Sequence, residues 1–160
     1  MSRSDLLPPR AADGKLALTE SELIDWGVRL GRQITPPLVI TLDGDLGAGK
    51  TTLVKAICRG YGVTEDVTSP TFALVHVYDA PRSPVHHADL YRLDGPKDLQ
   101  NLGWDDLVQA DALMLIEWPD RAGDLLPPDH LPIQLRYVEG DPTRRILYAG
   151  GHLGHETGSA

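Results

Sequence analysis

Cysteine is almost missing from this chain of 160 residues. Cys58 stands alone, which excludes an internal disulfide and a cysteine-built zinc site. No apolar run approaches the ~20 residues that a membrane span requires. The segment from Met1 to Pro9 lacks the apolar core of a secretory signal, so the expected location is cytoplasmic, away from membranes. Basic side chains are few: 15 Lys and Arg face 23 Asp and Glu, for a net charge of −8. A protein that grips nucleic acid unaided shows a basic footprint. Here Arg144-Arg145 is the only adjacent basic pair, and strong direct binding of nucleic acid is not expected. Asparagine is scarcer still. Asn101 is followed by Leu102, so the Asn-Lys-x-Asp element that commonly selects guanine is missing.

Glycine, by contrast, is placed with a purpose. Gly44-Asp45-Leu46-Gly47-Ala48-Gly49-Lys50-Thr51 fits G-x-x-x-x-G-K-[ST], the Walker A loop that cradles nucleotide phosphates. Glycines at 44, 47 and 49 let the backbone turn tightly and aim successive N–H groups into one concavity. Lys50 can reach the terminal phosphates, the Thr51 hydroxyl can hold Mg²⁺, and a helix starting near Lys50 adds its positive end. The flanks supply the required context. Leu38 to Leu42 reads as a buried parallel strand, and Leu53, Ala56 and Ile57 have helical spacing up to Gly60 or Gly62.

Taken in order, residues 1–13 read as a flexible leader, 14–150 as a single domain and 151–160 as a disordered tail. Lys15 to Leu18 is a short strand. Thr19 with Glu22 forms a capping box for a helix whose inner face carries Leu23, Gly27 and Leu30, with Trp26 in the core. Phe72 to Tyr78 and Val85 to Asp89 are strands joined by six residues, too few for a crossover helix, and are therefore antiparallel. Asp98 to Ala110 is helical in pattern. Ala112 to Ile116 is a buried strand, and residues 133–138 and 145–149 are the last two. The fold class expected is α/β: a P-loop NTPase-like three-layer sandwich around a mixed, partly antiparallel sheet.

Beside such a loop an ATPase places a carboxylate at a strand end, where it can organise Mg²⁺. Glu117 closes Leu113-Met114-Leu115-Ile116, and Asp89 closes the weaker strand before it. Thr68, Ser69 and Thr71 lie in a loop of the kind that senses a γ-phosphate, although hydroxyl capping of a turn accounts for them equally well. His86 and His87 point to opposite faces of a strand. His87 and Asp89 share a face, but a metal site there lacks a third ligand. Arg144 or Arg145 can offer charge to phosphate or simply start a solvated strand. Three readings stay open: an ATPase, a small-molecule kinase, and a nucleotide-dependent binding module with incidental hydrolysis. The kinase would need an Arg-rich lid, and no compact arginine cluster lies between the later strands.

Together these pieces resemble the TsaE (YjeE) family of bacterial P-loop ATPases. The runs that carry the resemblance are Gly44 to Thr52, Thr68-Ser69-Pro70-Thr71-Phe72, His87-Ala88-Asp89-Leu90-Tyr91-Arg92-Leu93, Leu102-Gly103 and Ile116-Glu117-Trp118-Pro119. The match extends from about residue 18 to 149. It implies a partner-stimulated ATPase subunit of the machinery that makes threonylcarbamoyladenosine in tRNA, working with TsaB and with TsaD, which carries out the transfer. It further implies ATP and Mg²⁺ as cofactors. Asp45, Leu46, Gly47, Ala48, Gly49, Lys50, Thr51 and Thr52 would bind nucleotide, and Thr51 and Glu117 the metal. Asp89, Glu117 and Thr71 would be catalytic, with Ser69 and Thr71 in a switch-I-like loop and Asp89 in a switch-II-like segment. Leu23 departs from the Thr that many relatives carry there, so a nucleotide contact through that hydroxyl is not available.

Overall fold

An apolar strand flanked on both sides by other strands must be covered on both faces, and Leu38–Gly44 is such a strand. The computed structural model describes residues 15–45, 47–68 and 74–149. Its strands are β1 (Lys15–Thr19), β2 (Leu38–Gly44), β3 (Val75–Tyr78), β4 (Val85–Asp89), β5 (Leu113–Glu117), β6 (Leu131–Val138) and β7 (Asp141–Ala149). The helices are α1 (Glu20–Gln33), α2 (Lys50–Tyr61), α3 (Lys97–Gln100) and α4 (Trp104–Gln109), followed by 3-10 turns over Pro119–Leu125. The strands form one sheet in the order β1-β7-β6-β2-β5-β4-β3. Its four middle strands β6, β2, β5 and β4 are mutually parallel; β3 and β7 run antiparallel to them, and β1 pairs antiparallel with β7 at the margin. The mixed sheet expected from the short β3–β4 connection is what forms.

Alternation along β5 divides the core between two helical layers. Leu113 and Leu115 face α1 and α2, where Trp26, Leu30, Leu53 and Ile57 are buried. Met114 and Ile116 face the other way, against Leu99 of α3, Trp104 of α4 and Ala122. Among the described residues the architecture is therefore three-layered. The leader at 1–13, the tail at 151–160, and Phe72 and Ala73 lie outside the described residues.

Helix α1 starts as its capping box dictates. The Thr19 hydroxyl accepts from the Glu22 N–H, and the Glu22 carboxylate accepts from the Thr19 N–H at 2.9 Å. It packs against α2 at unusually short range. A Cβ on Gly31 would press into the Ile57 carbonyl and lie 2.9 Å from the Tyr61 nitrogen, so only glycine lets the two backbones meet. This contact holds α2, and with it the loop before it, against the sheet.

Two expectations need correction. The pattern over Asp98 to Ala110 is not one helix: α3 ends at Gln100, and α4 begins after Gly103, whose φ of 71° breaks the run. Trp104 and Leu99 then reach the same core cluster from two short pieces. The last strand starts at Asp141 rather than Arg145, but its register with β6 shifts between Tyr137 and Val138. Residues 142–144 bulge out of the pairing with β6, although Arg144 still pairs with Thr19 of β1, and Pro142 and Thr143 read as loop in the sequence.

Candidate functional site

In a parallel sheet the carboxyl ends of the strands share an edge, and crevices for ligands open there. Here Leu42, Glu117 and Asp89 stand opposite one another in a single row across β2, β5 and β4. Two residues past Leu42 the chain leaves β2 at Gly44 and enters the loop, which ends at the first residue of α2, Lys50. Gly47 (φ 80°) and Gly49 (φ 104°) hold left-handed conformations that other residues adopt only at a cost. That backbone leaves a cradle at the amino end of α2.

Lys50 is only 5% exposed. Its Nζ donates to the Gly44 carbonyl at 2.6 Å and lies 3.6 Å from the centre of the Trp118 ring. Burial pushes the Lys50 ammonium below its ordinary value, opposed by the charges of Glu117, Asp43, Asp89 and Asp45. Asp89 is shifted upward, first by burial and then by the Glu117 charge. The Tyr91 N–H, which Asp89 Oδ1 accepts at 3.0 Å, works in the other direction, as do His87 and Lys50. Trp118 is the only non-glycine residue with positive φ among the described residues (57°), a conformation costing about 1–2 kcal/mol. It packs against Tyr91, with ring centres 5.0 Å apart, so two aromatic rings border the carboxylates.

A cleft of about 330 Å³ is lined by Lys50, Thr51, Asp89, Glu117, Tyr91 and Trp118, among others. On the other side of the loop lies a second cleft of about 480 Å³, which shares Gly47, Gly49 and Thr52 with the first. Its walls are Leu18, Leu23, Pro142, Thr143 and Arg145. The β7 bulge brings Pro142 and Thr143 into it, next to Arg145. The two adjacent arginines take different positions. Arg145 lines this cleft, its guanidinium 4.6 Å from the Tyr137 ring centre. Arg144 bonds the Ala17 carbonyl and pairs with Glu22 and Asp141.

The remaining site residues fall as follows. Asp45, Gly47, Ala48, Gly49, Lys50, Thr51 and Thr52 lie in the loop and the first turn of α2; Leu46, Ser69 and Thr71 lie outside the described residues. Thr68 is held by Tyr78, its N–H donating to the Tyr78 Oη and its carbonyl accepting from it. His87 does not join Asp89 in a metal site. It is fully buried, with Nε2 2.7 Å from Glu117 Oε2. Sequence reasoning gave no role to Tyr91, Trp118 or Leu18, although Trp118 follows Glu117 directly.

The donor set suits a hard cation. Thr51, Glu117 and Asp89 offer oxygen only, and two of the three are carboxylates. That fits Mg²⁺, which takes one or two carboxylates and fills its remaining positions with phosphate and water. It does not fit an all-protein metal cage. Arginines elsewhere are less scattered than the sequence implied, since Arg29, Arg32 and Arg59 line one shallow cleft beside α1 and α2.

Comparison with known proteins gives a consistent result. A family model described as "Threonylcarbamoyl adenosine biosynthesis protein TsaE" matches residues 17–146. Relatives named "tRNA threonylcarbamoyladenosine biosynthesis protein TsaE" include that of Treponema pallidum, 39% identical over 124 residues, covering 78% of this chain and 90% of its own. The Nostoc sp. protein of the same name is 38% identical over 128 residues, 77% of this chain and 78% of its own. The crystal structure of YdiB from Bacillus subtilis matches with a TM-score of 0.71 at 28% identity, over 91% of this chain and 93% of that one.

Proposed function

This chain belongs to the TsaE family of tRNA threonylcarbamoyladenosine biosynthesis proteins, and from that membership we propose that it is a Mg²⁺-dependent ATPase supporting TsaB and TsaD in that modification. The observation that carries the reading is the row of Leu42, Glu117 and Asp89, with Lys50 one loop away and both carboxylates facing the same cleft.

In this reading the loop from Asp45 to Thr52 receives the phosphates on its backbone N–H groups. Lys50 exchanges the Gly44 carbonyl for a terminal phosphate, moving along the Trp118 ring. The base occupies the second cleft, against Leu18 and Leu23, with Arg145 beside it. Thr51 and Glu117 would hold Mg²⁺, which would supply positive charge to offset that of the phosphates. Asp89 orients the attacking water and takes up its proton as the water oxygen bonds to the terminal phosphorus and the bridging oxygen leaves with ADP. Thr71, with Thr68 and Ser69, senses whether that phosphate is present. TsaD performs the threonylcarbamoyl transfer, and ATP turnover here resets the assembly.

ATP hydrolysis by the purified chain, with and without TsaB and TsaD and with no added acceptor, tests the proposal. Turnover is expected to require Mg²⁺ and to rise with the partners. Asp89→Asn should lower it about 100-fold or more, with ATP still bound. Glu117→Gln should also cut turnover more than binding. Full activity in Asp89→Asn would return Asp89 to the status of a strand-end residue, and turnover only with a phosphate acceptor would identify a kinase.

A further inference from the structure

We infer that His87 is a positioning residue for Glu117: it fixes one carboxylate oxygen so that the other faces the metal. The inference deepens the proposed function, because it rests on Glu117 being a metal ligand.

His87 and Glu117 lie on the α1–α2 side of the sheet, on neighbouring strands. His87 stands opposite Leu115, one same-face step before Glu117, and reaches diagonally to it. Both side chains are out of solvent, at 0% and 3% exposure, and the Nε2–Oε2 distance is 2.7 Å. A carboxylate can only accept, so the proton in this bond sits on Nε2. His87 Nδ1 has no partner among the described residues. One hydrogen bond therefore sets the orientation of the imidazole, and the same bond removes one oxygen of Glu117 from competition for the cation. Glu117 also borders the cleft that holds Lys50 and Thr51. A carboxylate buried this deeply and left without that donor would be free to turn toward Lys50 instead, whose ammonium already feels the Glu117 charge and lines the same cleft. Outer partners of this kind orient metal ligands, and losing one typically weakens metal binding about 10- to 100-fold.

Two substitutions of similar shape separate positioning from packing. His87→Gln keeps an N–H where Nε2 stands, whereas His87→Met fills the same space with no donor. Mn²⁺ is titrated into protein saturated with ADP, and the free ion is followed by its electron paramagnetic resonance signal. Glu117→Gln is run beside them, thermal melts check folding, and ADP affinity is measured without metal. The expected result is a loss of Mn²⁺ affinity of about 10- to 100-fold in His87→Met, near-parental affinity in His87→Gln, and metal-free ADP binding unchanged in both. Parental Mn²⁺ affinity in His87→Met, with Glu117→Gln weakened, overturns the inference and leaves the proposed function standing. Equal losses in the Met and Gln variants also overturn it, since packing alone would then account for them. Parental affinity in Glu117→Gln removes the metal role of Glu117 and the inference with it.

Discussion

A lysine kept 5% exposed gives up most of its hydration, and a carbonyl at 2.6 Å with an aromatic ring at 3.6 Å returns only part of that loss. In the proposed function, Lys50 is held in this position for a ligand rather than for the fold. Lys50→Met keeps the stem and its packing on Trp118, so the melting temperature should stay level or rise. ATP affinity should fall about 100-fold, the worth of one or two charge-assisted hydrogen bonds. Calorimetry alongside a thermal melt checks both halves. The neighbouring arginines make a second contrast. Arg145→Ala should weaken ATP binding several-fold through the base-side cleft. Arg144→Ala should leave affinity intact and lower the melting temperature slightly, because its partners are Glu22 and Asp141. Strand alternation announces that two adjacent arginines point apart, but it cannot say which one faces a site. That depends on how β7 pairs with β1 on one side and slips against β6 on the other, which adjacent residues alone do not specify.

At the scale of elements, α1 shows both what local sequence specifies and what it does not. Its start was legible down to the bond, because a capping box is a local device. The Glu22 carboxyl is held below its ordinary value of 4.5, chiefly by the Thr19 N–H and hydroxyl, with Arg144 adding to the effect. A depressed carboxyl stabilises the fold above its unfolded value and loses that contribution as pH falls through the folded one. Melting temperatures of parent and Glu22→Gln should therefore differ at neutral pH and converge below 4.5. The face of α1 was legible too, through Leu23, Gly27 and Leu30. The need for glycine at 31 was not, because the atoms it must clear belong to Ile57 and Tyr61 of α2. Backbone cannot move aside as a side-chain tip can. Gly31→Ala should cost about 2–3 kcal/mol in a denaturant titration, as overpacked cores do. The division of Asp98 to Ala110 into α3 and α4 was hidden for a related reason: Leu99 with Leu102, and Trp104 with Leu107 and Val108, each keep helical spacing, while Gly103 between them changes the direction.

For the molecule as a whole, charge sets the dealings with RNA. At net −8, this chain should bind tRNA weakly on its own. The cleft with Arg29, Arg32 and Arg59 offers at most three phosphate contacts, so affinity should fall with salt on a logarithmic slope of about −2 to −3. Titration of labelled tRNA at several salt concentrations checks this, and tight binding at physiological salt would contradict it. The sequence revealed the phosphate loop and both carboxylates because each ends an apolar strand. It did not reveal that those strands are neighbours, since parallel strands carry no turn between them to announce the pairing. That arrangement also has a consequence in time. The loop strand ends at Gly44, while its two flanking strands end at Glu117 and Val138. At roughly 5–20 residues per second of synthesis, about 5–20 s separate the making of the loop from the making of its last neighbour. Until β5 is made, Leu38 to Leu42 is an apolar ribbon with neither edge occupied, and until β6 follows, one edge stays open. A ribosome making this chain thus completes the most recognisable motif early and delivers the walls that make it a site almost last.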